Sequence, residues 1–442
     1  MRNLRAVAAD DATSNQPRID GLELHAAFMK NFRPLLPFLM LMAAGAAQAA
    51  PDEEALGRSA GYPVGSSLAQ AYQEPYIVGS FSAMDSFIAS CSLVPATEPL
   101  PLKKAATEPT FRYRFDGRTL TLDDYMQRQR ATGLLIIKDG EIVAERYNYQ
   151  RTADMRMLSN SMAKTITALG VLKAVEDGLI RSLDDPAEVY APELKGTLYG
   201  QTRLVNLMRM ASGARYVEDY TANDDRRVFN ETARRFGVAQ AARLVAERAE
   251  PQGQRFNYAG AQTEVLGLVL RGATGRTLCD YIDETIWKPI GAEARATWLI
   301  NPVDKIELAQ GGFNATLRDY ARLGLMMAND GKGPHAAVLS RDHLLAMTDA
   351  QQQPEAFRPG RMQYHGSTYY GYGLQTWLLP GSHRRFALLG IHGQAIFVDP
   401  ALNLVVVHTA VGKDASGDAS GAHLGVERDA LLRGIVARYG NW

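Results

Sequence analysis

The sequence predicts an α/β (α+β) protein in which helices flank an antiparallel sheet and an all-helical region is inserted. Short β-rich segments occur near both ends of the 442-residue chain, and the middle is dominated by apolar residues at helical spacing. This order of segments favours one sheet built from both ends of the chain, with helices packed on it. Hydrophobic residues make up 46% of the chain and charged residues 22%, as is usual for a folded globular protein.

The clearest strand signal is a hairpin. Leu134–Ile137 and Ile142–Ala144 flank Asp139-Gly140, a dipeptide that favours a two-residue turn between antiparallel strands. Near the other end of the chain, further β-rich segments are separated by glycine or by Asp-Pro. They are Phe386–Leu389, Ala395–Val398 and Leu404–His408. We expect all of these segments to pair in one sheet.

Helical spacing of apolar residues predicts helices in the middle and at the end of the chain. The segments are 162–177, 203–211, 238–249, 261–272, 317–329 and Asp429–Tyr439. We expect the main domain at 111–442, with a helical insert at roughly 216–316. Residues 50–110 are rich in Pro, Ser, Ala and Glu but carry scattered aromatic residues, so we expect an irregular segment that packs on the domain.

The amino-terminal region has the pattern of an export signal. A basic start at Met29–Arg33 is followed by an apolar run from Leu35 to Ala47 and by Ala47-Gln48-Ala49. The run is too short to span a bilayer comfortably, and the end matches the small-residue cleavage pattern. We therefore predict a secretory signal peptide at 29–49 and a periplasmic or secreted protein without a stable membrane anchor after cleavage.

A buried core helix is the alternative for this segment, and Pro34 and Pro37 disfavour it. Because a signal peptide begins a protein, we expect translation to start at Met29. Residues 1–28 are then a mis-called or disordered extension.

Charge and cysteine content exclude several classes of protein. The chain has 48 basic and 48 acidic residues and no long run of like charge, whereas nucleic-acid binding needs a clustered basic excess. Cys91 and Cys279 are too few for a disulfide framework or a cysteine-ligated zinc site, and the sequence leaves open whether they pair. No metal or organic cofactor is implied, and the oligomeric state stays open.

Ser161 and Lys164 are the strongest candidates for chemistry. They open a segment with apolar residues at helical spacing, so their side chains are expected on one face of a helix, one turn apart. A desolvated lysine beside the hydroxyl can accept its proton, and backbone N–H groups at the helix start can hold an oxyanion. Alternatively, Lys164 is a solvated lysine one turn from a capping serine.

A second serine lies in a nucleophile-like pattern. Gly57–Gly61 matches G-x-S-x-G, which in α/β-hydrolases follows a buried strand and precedes a helix. Here acidic residues precede the pattern and Tyr62-Pro63 follows it, so we interpret the match as chance.

Several blocks resemble a known family in the same order along the chain. Ser161–Thr165 matches S-x-x-K-[ST], Leu207–Gly213 looks like a helix that ends in Ser-Gly, and Phe256–Gly260 lies where a catalytic tyrosine belongs. The chain resembles the serine hydrolases related to class C β-lactamases, penicillin-binding proteins and class VIII esterases, from about Pro75 to its end. This resemblance implies a β-lactamase/transpeptidase-like fold.

The resemblance assigns a role to Tyr258. In the family this tyrosine acts with the lysine as general base, which requires a phenolate favoured by a nearby ammonium. The usual Tyr-x-Asn is broken here, because Gly260 replaces the asparagine. A core tyrosine ahead of an apolar helix is the alternative interpretation.

A third family motif, K-T-G, is also missing. Gly390-Ile391-His392-Gly393-Gln394 stands in its place, ahead of a predicted strand. By analogy, His392 replaces the lysine, a backbone N–H near Ile391 is the second oxyanion donor, and Gly393 and Gln394 complete a substrate-binding segment. A loop histidine between two strands is the alternative. Tyr216, Tyr220, Tyr370 and Trp377 are candidates for lining a pocket.

A permanent lysine charge suits a substrate carboxylate, whereas a histidine is mostly neutral at pH 7. Tyr-x-Gly together with Ile-His-Gly-Gln looks more like the branch that contains 6-aminohexanoate-dimer hydrolase and carboxylesterases. We therefore expect an exported serine hydrolase that cleaves small esters or linear amides through an acyl-enzyme on Ser161. A β-lactamase or D,D-peptidase on the same fold is one alternative. A non-catalytic binding protein on the same scaffold is the other.

Overall fold

A seven-stranded antiparallel sheet forms the centre of the protein in the computed structural model, which describes residues 50–220, 224–415 and 424–442. The predicted signal peptide at 29–49 and the extension at 1–28 lie outside the described residues. The strands are β1 Ser90–Leu93, β2 Tyr113–Phe115, β3 Arg118–Leu120, β4 Ala131–Lys138, β5 Glu141–Tyr147, β6 Met157–Leu158, β7 Ala296–Leu299, β8 Phe313–Ala315, β9 Gly371–Tyr372, β10 Trp377–Leu378, β11 Phe386–Gly390, β12 Gln394–Asp399 and β13 Leu404–Ala410.

Helices surround the sheet. They are α1 Leu68–Ala71, α2 Glu74–Ala83, α3 Leu122–Arg128, α4 Ala163–Glu176, α5 Leu204–Met208, α6 Asp225–Phe236, α7 Val238–Leu244, α8 Gly260–Thr274, α9 Leu278–Ile282, α10 Leu317–Ala328, α11 Arg341–Thr348 and α12 Leu424–Ala437. A π-helical turn, Asp283–Trp287, follows α9. The predicted helices are therefore present, with ends that differ from the predicted ones by a few residues.

The order of strands in the large sheet is β5-β4-β13-β12-β11-β10-β9. The predicted hairpin of β4 and β5 is present, and its turn residues Asp139 and Gly140 have φ of 51° and 82°. Positive φ at both positions is the conformation that Asp-Gly favours in a two-residue turn. Strand β4 also pairs with β13, so the predicted sheet of strands from both ends of the chain is confirmed.

Both faces of the sheet are buried. Leu135, Ile137 and Val407 belong to the core that includes residues of α4, α8 and α10, whereas Ile136 and Val406 face the core that includes α12. Alternate residues of one strand therefore enter two different cores. This explains why these segments read as continuous apolar runs in the sequence.

Two segments differ in secondary structure from what the sequence predicted. The segment 50–110 is not irregular throughout, because it contains α2 and β1. The insert at 216–316 is not helical throughout either, because it ends with β7 and β8. These strands join β1 and β6 in a four-stranded sheet of order β1-β7-β8-β6. Strands of three or four residues show too little periodicity to be recognised, and their partners are remote in sequence.

A disulfide joins Cys91 of β1 to Cys279 of α9. Their Cα atoms are 6.3 Å apart, within the usual range for a disulfide. It fastens the amino-terminal segment to the middle of the chain, 188 residues away in sequence. Within the residues that the structure describes, no helix has the length and apolar character needed to cross a bilayer.

Candidate active site

Ser161 lies in a turn of 3₁₀-helix, Asn160–Met162, that leads directly into α4. The sequence predicted Ser161 in the first turn of a helix, and the structure places it just before the α-helical part. Ser159 anchors this turn, because its N–H donates to the carbonyl oxygen of Phe313 at 2.8 Å. Asn160 has φ of 44°, in the left-handed region that asparagine tolerates better than most residues.

Lys164 meets Ser161 as the spacing predicted. Its Nζ donates to Ser161 Oγ and to the carbonyl oxygen of Gln310, each at 2.9 Å. Lys164 is only 2% exposed, and this burial lowers its pKa from 10.5 to about 8, although Glu218 and Glu264 oppose the shift. A lysine with this pKa is partly neutral near pH 8 and can accept a proton from the hydroxyl.

Tyr258 completes the cluster, and its ring centroid lies 5.2 Å from Lys164 Nζ. Burial raises the pKa of Tyr258 well above 10, with Tyr220, Tyr372 and Glu218 adding to the shift. A hydrogen bond with Ser161 lowers it. The sequence led us to expect a phenolate favoured by the ammonium. The structure instead favours a protonated phenol, because burial penalises the anion more than the neighbouring lysine stabilises it.

Gly390 lets strand β11 approach the nucleophile turn. A Cβ atom on Gly390 would lie 2.4 Å from the carbonyl oxygen of Ser159 and 3.1 Å from the backbone nitrogen of Ser161. Asn160 links the two segments, because its Nδ2 donates to the carbonyl oxygen of Ile391 at 3.2 Å. The predicted juxtaposition of the Ile391 backbone with Ser161 is therefore present.

The predicted contact of His392 and Gln394 with a substrate is not supported by their positions. Neither side chain is among the described residues that line the cavities beside Ser161, whereas Ile391 and Gly393 are. His392 has φ of 59°, and its Nδ1 forms a hydrogen bond of 2.7 Å with the carbonyl oxygen of Gly412. The left-handed backbone turns the ring toward Tyr72 and Phe81, and burial lowers the pKa of His392.

Gln394 instead forms hydrogen bonds that connect the Ile391 segment to β13. Its Nε2 donates to the carbonyl oxygens of Ile391 and Ala410, and its Oε1 accepts from the Ala410 N–H. His392 and Gln394 therefore hold the segment that carries Ile391 in place, and neither replaces the family's lysine by direct contact.

Two cavities of the described residues meet at Ser161. The aromatic cavity, of about 310 Å³, is walled chiefly by tyrosine, tryptophan and aliphatic side chains. Its aromatic and charged lining residues are Tyr220, Tyr258, Tyr364, Tyr370, Trp377, Asp414 and Arg428. The charged cavity, of about 170 Å³, also borders Ser161 and shares Tyr220 and Ile391 with the aromatic one. Its charged and amide-bearing lining residues are Asn160, Glu218, Arg226, Asn230, Arg234, Glu264, Asn301 and Gln310.

Of the proposed pocket residues, Tyr220, Tyr370 and Trp377 line the aromatic cavity, and Tyr220 also borders the charged one. Tyr216 lines neither cavity and faces a separate depression beside α6 and α7. Tyr216 and Tyr220 lie in a segment without regular secondary structure, and Tyr220 has φ of 62°, so their spacing in the sequence did not indicate which one faces the site.

The missing asparagine of Tyr-x-Asn is explained by Gln310. A Cβ atom on Gly260 would lie 1.8 Å from Gln310 Oε1, so the Gln310 side chain occupies the space beside Gly260. The Gly260 N–H donates to Glu218 at 2.6 Å. A glutamine from a loop about fifty residues downstream therefore fills the space beside Gly260, and its Nε2 donates to Asn230 Oδ1 at 3.0 Å.

Four further residues line the cavities without belonging to any motif of the sequence: Glu218, Glu264, Gln310 and Arg428. Glu264 lies in an apolar helical pattern, where a buried carboxylate is unusual, and this is the one signal that could have marked it. The second serine candidate, Ser59, lies in a short exposed 3₁₀-helix, and residues 50–58, the described part of the chain ahead of it, contain no strand.

An antiparallel sheet with helices on both faces, and a buried lysine beside a serine at a helix start, define a hydrolase of the β-lactamase/transpeptidase-like class. The chain belongs to the beta-lactamase family, whose profile matches residues 120–425, more than half of the sequence.

Individual proteins that are similar to this chain agree with the family assignment. The chain is 28% identical over 316 residues to a 6-aminohexanoate-dimer hydrolase of Paenarthrobacter ureafaciens, covering 66% of this chain and 76% of the relative. A solved structure from Bacillus anthracis, assigned as a 6-aminohexanoate-dimer hydrolase, superposes with a TM-score of 0.69 at 23% identity. It covers 82% of this chain and 95% of that one.

A family VIII carboxylesterase has a TM-score of 0.52 at 18% identity, covering 69% of this chain and 93% of that one. At these identities the two structural likenesses establish the fold alone. The predicted family and fold are thus confirmed.

Proposed function

We propose that this protein is a serine hydrolase that cleaves small esters or linear amides through an acyl-enzyme on Ser161. The observation that carries the proposal is the 2.9 Å contact between Lys164 Nζ and Ser161 Oγ, made by a lysine that burial brings to a pKa of about 8. A solvated lysine beside a capping serine would keep its ordinary pKa.

The acylation step uses the three residues in distinct roles. Ser161 Oγ attacks the substrate carbonyl carbon, the new C–O bond forms, and the carbonyl electron pair moves to the oxygen. Neutral Lys164 takes the hydroxyl proton as this occurs. Protonated Tyr258 is placed to pass a proton to the departing amine or alcohol, and Lys164 then replaces that proton. A water molecule releases the acyl group by the same route in reverse.

The backbone N–H groups of Ser161 and Ile391 are the proposed oxyanion donors. Gly390 supports this role because it allows the two backbones to approach, and Asn160 supports it by binding the Ile391 carbonyl oxygen. Donors fixed before the reaction stabilise developing charge at little cost in reorganisation.

The arrangement of the two cavities is consistent with an extended substrate. Because they meet at Ser161, a linear molecule can place its cleaved bond at the hydroxyl and one part in each cavity. The relative from Paenarthrobacter ureafaciens carries the name of a hydrolase for a dimer of an amino acid, which is consistent with a linear amide substrate here.

A fluorophosphonate probe tests the nucleophile directly. We expect the wild-type protein to be labelled at Ser161 and to hydrolyse p-nitrophenyl esters. Ser161→Ala should lose labelling and about a thousandfold or more of the activity. Equal labelling of both proteins would show that Ser161 is not the nucleophile and would favour a binding protein on this scaffold.

Substrate comparison separates the enzymatic alternatives. We expect p-nitrophenyl esters and short linear amides to be turned over faster than nitrocefin, because the lysine of K-T-G is missing and His392 does not face the cavity. Efficient nitrocefin hydrolysis would instead favour a β-lactamase or D,D-peptidase.

We also propose that the protein is exported, with residues 29–49 as its signal peptide. The Cys91–Cys279 disulfide supports this, because structural disulfides persist mainly in oxidising compartments. Mass spectrometry of the exported protein should find a mature amino terminus at residue 50, and a terminus upstream of Met29 would contradict both the signal peptide and the start at Met29.

A further inference from the structure

Glu264 is a buried carboxyl group beside the catalytic lysine. It lies one turn into α8, the helix that follows Tyr258, and it is 2% exposed. Its side chain lines the charged cavity together with Ser161. A carboxyl group so deeply buried requires a compensating interaction, because loss of hydration strongly penalises its anion.

Hydrogen bonds connect Glu264 to Lys164 through one residue. Glu264 Oε1 accepts from the Gln310 N–H at 3.2 Å, and the Gln310 carbonyl oxygen accepts from Lys164 Nζ at 2.9 Å. The other oxygen, Oε2, forms no hydrogen bond with any residue that the structure describes. The carboxyl group is thus fixed in orientation but left with an unsatisfied oxygen at the cavity.

Three other described charged side chains line the charged cavity with Glu264: Glu218, which lies before α6, and Arg226 and Arg234 of α6. Of these, Glu218 and Arg226 act on Lys164. The phenol of Tyr258 is close to Lys164 but uncharged near neutral pH. Glu218 is already engaged, because its oxygens accept from the Gly260 N–H and from the Tyr220 hydroxyl. Glu264 is therefore the carboxyl group with an oxygen still available for a new positive charge.

We propose that Glu264 is a positioning residue that supplies the counter-charge to Lys164 as Lys164 becomes an ammonium during acylation. The inference rests on the proposed function. When Ser161 Oγ bonds to the carbonyl carbon, its proton moves to Lys164 Nζ, and a buried positive charge appears where none was. An ionised Glu264 stabilises that charge in a medium that water does not screen. It thereby strengthens the lysine as a base, and in the next step Lys164 passes its proton to Tyr258 as Tyr258 protonates the leaving group.

The titration behaviour of the pair agrees with this geometry. Burial raises the pKa of Glu264 from 4.5 to about 7, and Lys164 and the Gln310 N–H limit the rise. Near pH 8, where Lys164 becomes neutral, Glu264 is mostly ionised. Both groups thus change charge in the range where the enzyme is expected to work.

Glu264→Gln tests the proposal, because it keeps the acceptor for the Gln310 N–H and removes the charge. The readout is the rate constant for fluorophosphonate labelling of Ser161 between pH 6 and 10. We expect the plateau at high pH to fall about tenfold and the midpoint of the rise to move to lower pH, since Lys164 without its counter-charge loses its proton more readily. The ratio of variant to wild-type rate should therefore approach one as the pH falls.

The control is Glu284→Gln, an exposed carboxylate that pairs with Arg276 far from the cavity. It should reproduce the wild-type profile. A purely structural role for Glu264 would lower the rate equally at every pH without moving the midpoint, and that result would overturn the proposal. If Glu264→Gln does not fold, Glu264→Met gives the same test with a side chain that needs no hydrogen bond.

The two proposals fail in different ways. If the wild-type protein is not labelled at Ser161, the proposed function is wrong. If Ser161 is labelled and Glu264→Gln keeps the wild-type midpoint, the function stands and the role of Glu264 is wrong.

Discussion

At the scale of single residues, the proposed catalytic chemistry depends on how deeply one lysine is buried. Among the residues that the structure describes, Lys164 has hydrogen bonds to a hydroxyl and to a carbonyl oxygen, and neither neutralises its charge. Burial therefore lowers its pKa to about 8, and nearby carboxylates keep it from falling further. The balance leaves a lysine that can both accept and return a proton near neutral pH.

The pH dependence of hydrolysis follows from this pKa. Lys164 is active as a base only when neutral, so kcat/KM should rise with pH through about 8 and level off above it. Stopped assays of p-nitrophenyl ester hydrolysis from pH 6 to 10, corrected for spontaneous hydrolysis, measure this. A profile that falls across this range would contradict the role of Lys164.

Lys164→Arg separates charge from proton transfer. The guanidinium keeps the positive charge but does not lose a proton at any pH in this range, so activity should fall about a thousandfold or more. Lys173→Arg on the same helix is the matched control, because Lys173 pairs with Asp177 near the surface. Retention of activity in Lys164→Arg would show that another group accepts the proton.

Gly390 is the residue where a single methyl group should disturb the site. In Gly390→Ala the new Cβ would press on the Ser159 carbonyl oxygen from 2.4 Å and must displace the Ile391 backbone. We expect kcat to fall by at least about tenfold and stability by about 1–3 kcal/mol. The comparison is Gly196→Ala, whose added Cβ meets no atom within 4 Å although its φ of 74° strains a side chain, so this variant can lose stability through the backbone but should keep its ester turnover. Ester turnover and thermal unfolding measure both effects.

At the scale of elements, one buried carboxylate fastens α12 to the rest of the protein. Glu427 is fully buried and accepts hydrogen bonds from Tyr113, Arg128 and Gln129. The next residue, Arg428, lines the aromatic cavity, so the position of α12 also shapes the site. The carboxylate thus links the helix to α3 and β2.

Removal of this charge should loosen the helix. Glu427→Gln keeps the size of the side chain but replaces one acceptor oxygen with a donor, so a buried donor on a neighbour is left unpaired. We expect the free energy of unfolding in urea to fall by about 2 kcal/mol. Glu355→Gln, at an exposed ion pair with Arg361, should change it by less than about 0.5 kcal/mol. Equal values for the two variants would contradict the anchoring role.

The elements differ in how far the sequence predicted them. The β4–β5 hairpin and α4 carry their signals locally, in Asp139-Gly140 and in the spacing of apolar residues, so both were predicted. Strands β7 and β8 were not, because each is defined by partners remote in sequence.

The same contrast holds within the site. Ser161 and Lys164 are one helical turn apart, so spacing alone placed them together. Tyr258 was identified by resemblance. Glu264 and Gln310 act through a contact between a helix and a distant loop, which no local pattern records. His392 lies in a segment that borders the cavity, but its left-handed backbone turns its own side chain away from the cavity. The residue type alone does not predict this backbone conformation.

At the scale of the whole molecule, the disulfide connects regions that otherwise pack through short strands. It closes a loop of 188 residues, and such a constraint lowers the entropy of the unfolded chain. The first described segment, which contains α2 and β1, contacts the nucleophile turn through Tyr72 and Asn160 at 3.0 Å. Its attachment therefore bears on both stability and the site.

Loss of the disulfide should lower stability without abolishing the fold. In the double variant Cys91→Ala, Cys279→Ala, we expect a decrease of about 2–4 kcal/mol in the free energy of unfolding. Reductant should destabilise the wild-type protein by a similar amount and leave the variant unchanged. Two free thiols in the unfolded, unreduced wild-type protein would show that the cysteines are not joined.

The pairing of β4 with β13 has a consequence for how the protein is made. Within the large sheet, β4 is joined to β13, the last strand that the structure describes, so the β4–β5 hairpin cannot join the rest of the sheet until Leu404–Ala410 has been synthesised. Until then the edge of β4 that pairs with β13 is left unpaired, and contacts this remote in sequence form slowly. The growing polypeptide must therefore be kept from aggregating throughout its synthesis, and truncation before Leu404 should yield insoluble protein instead of a smaller folded one.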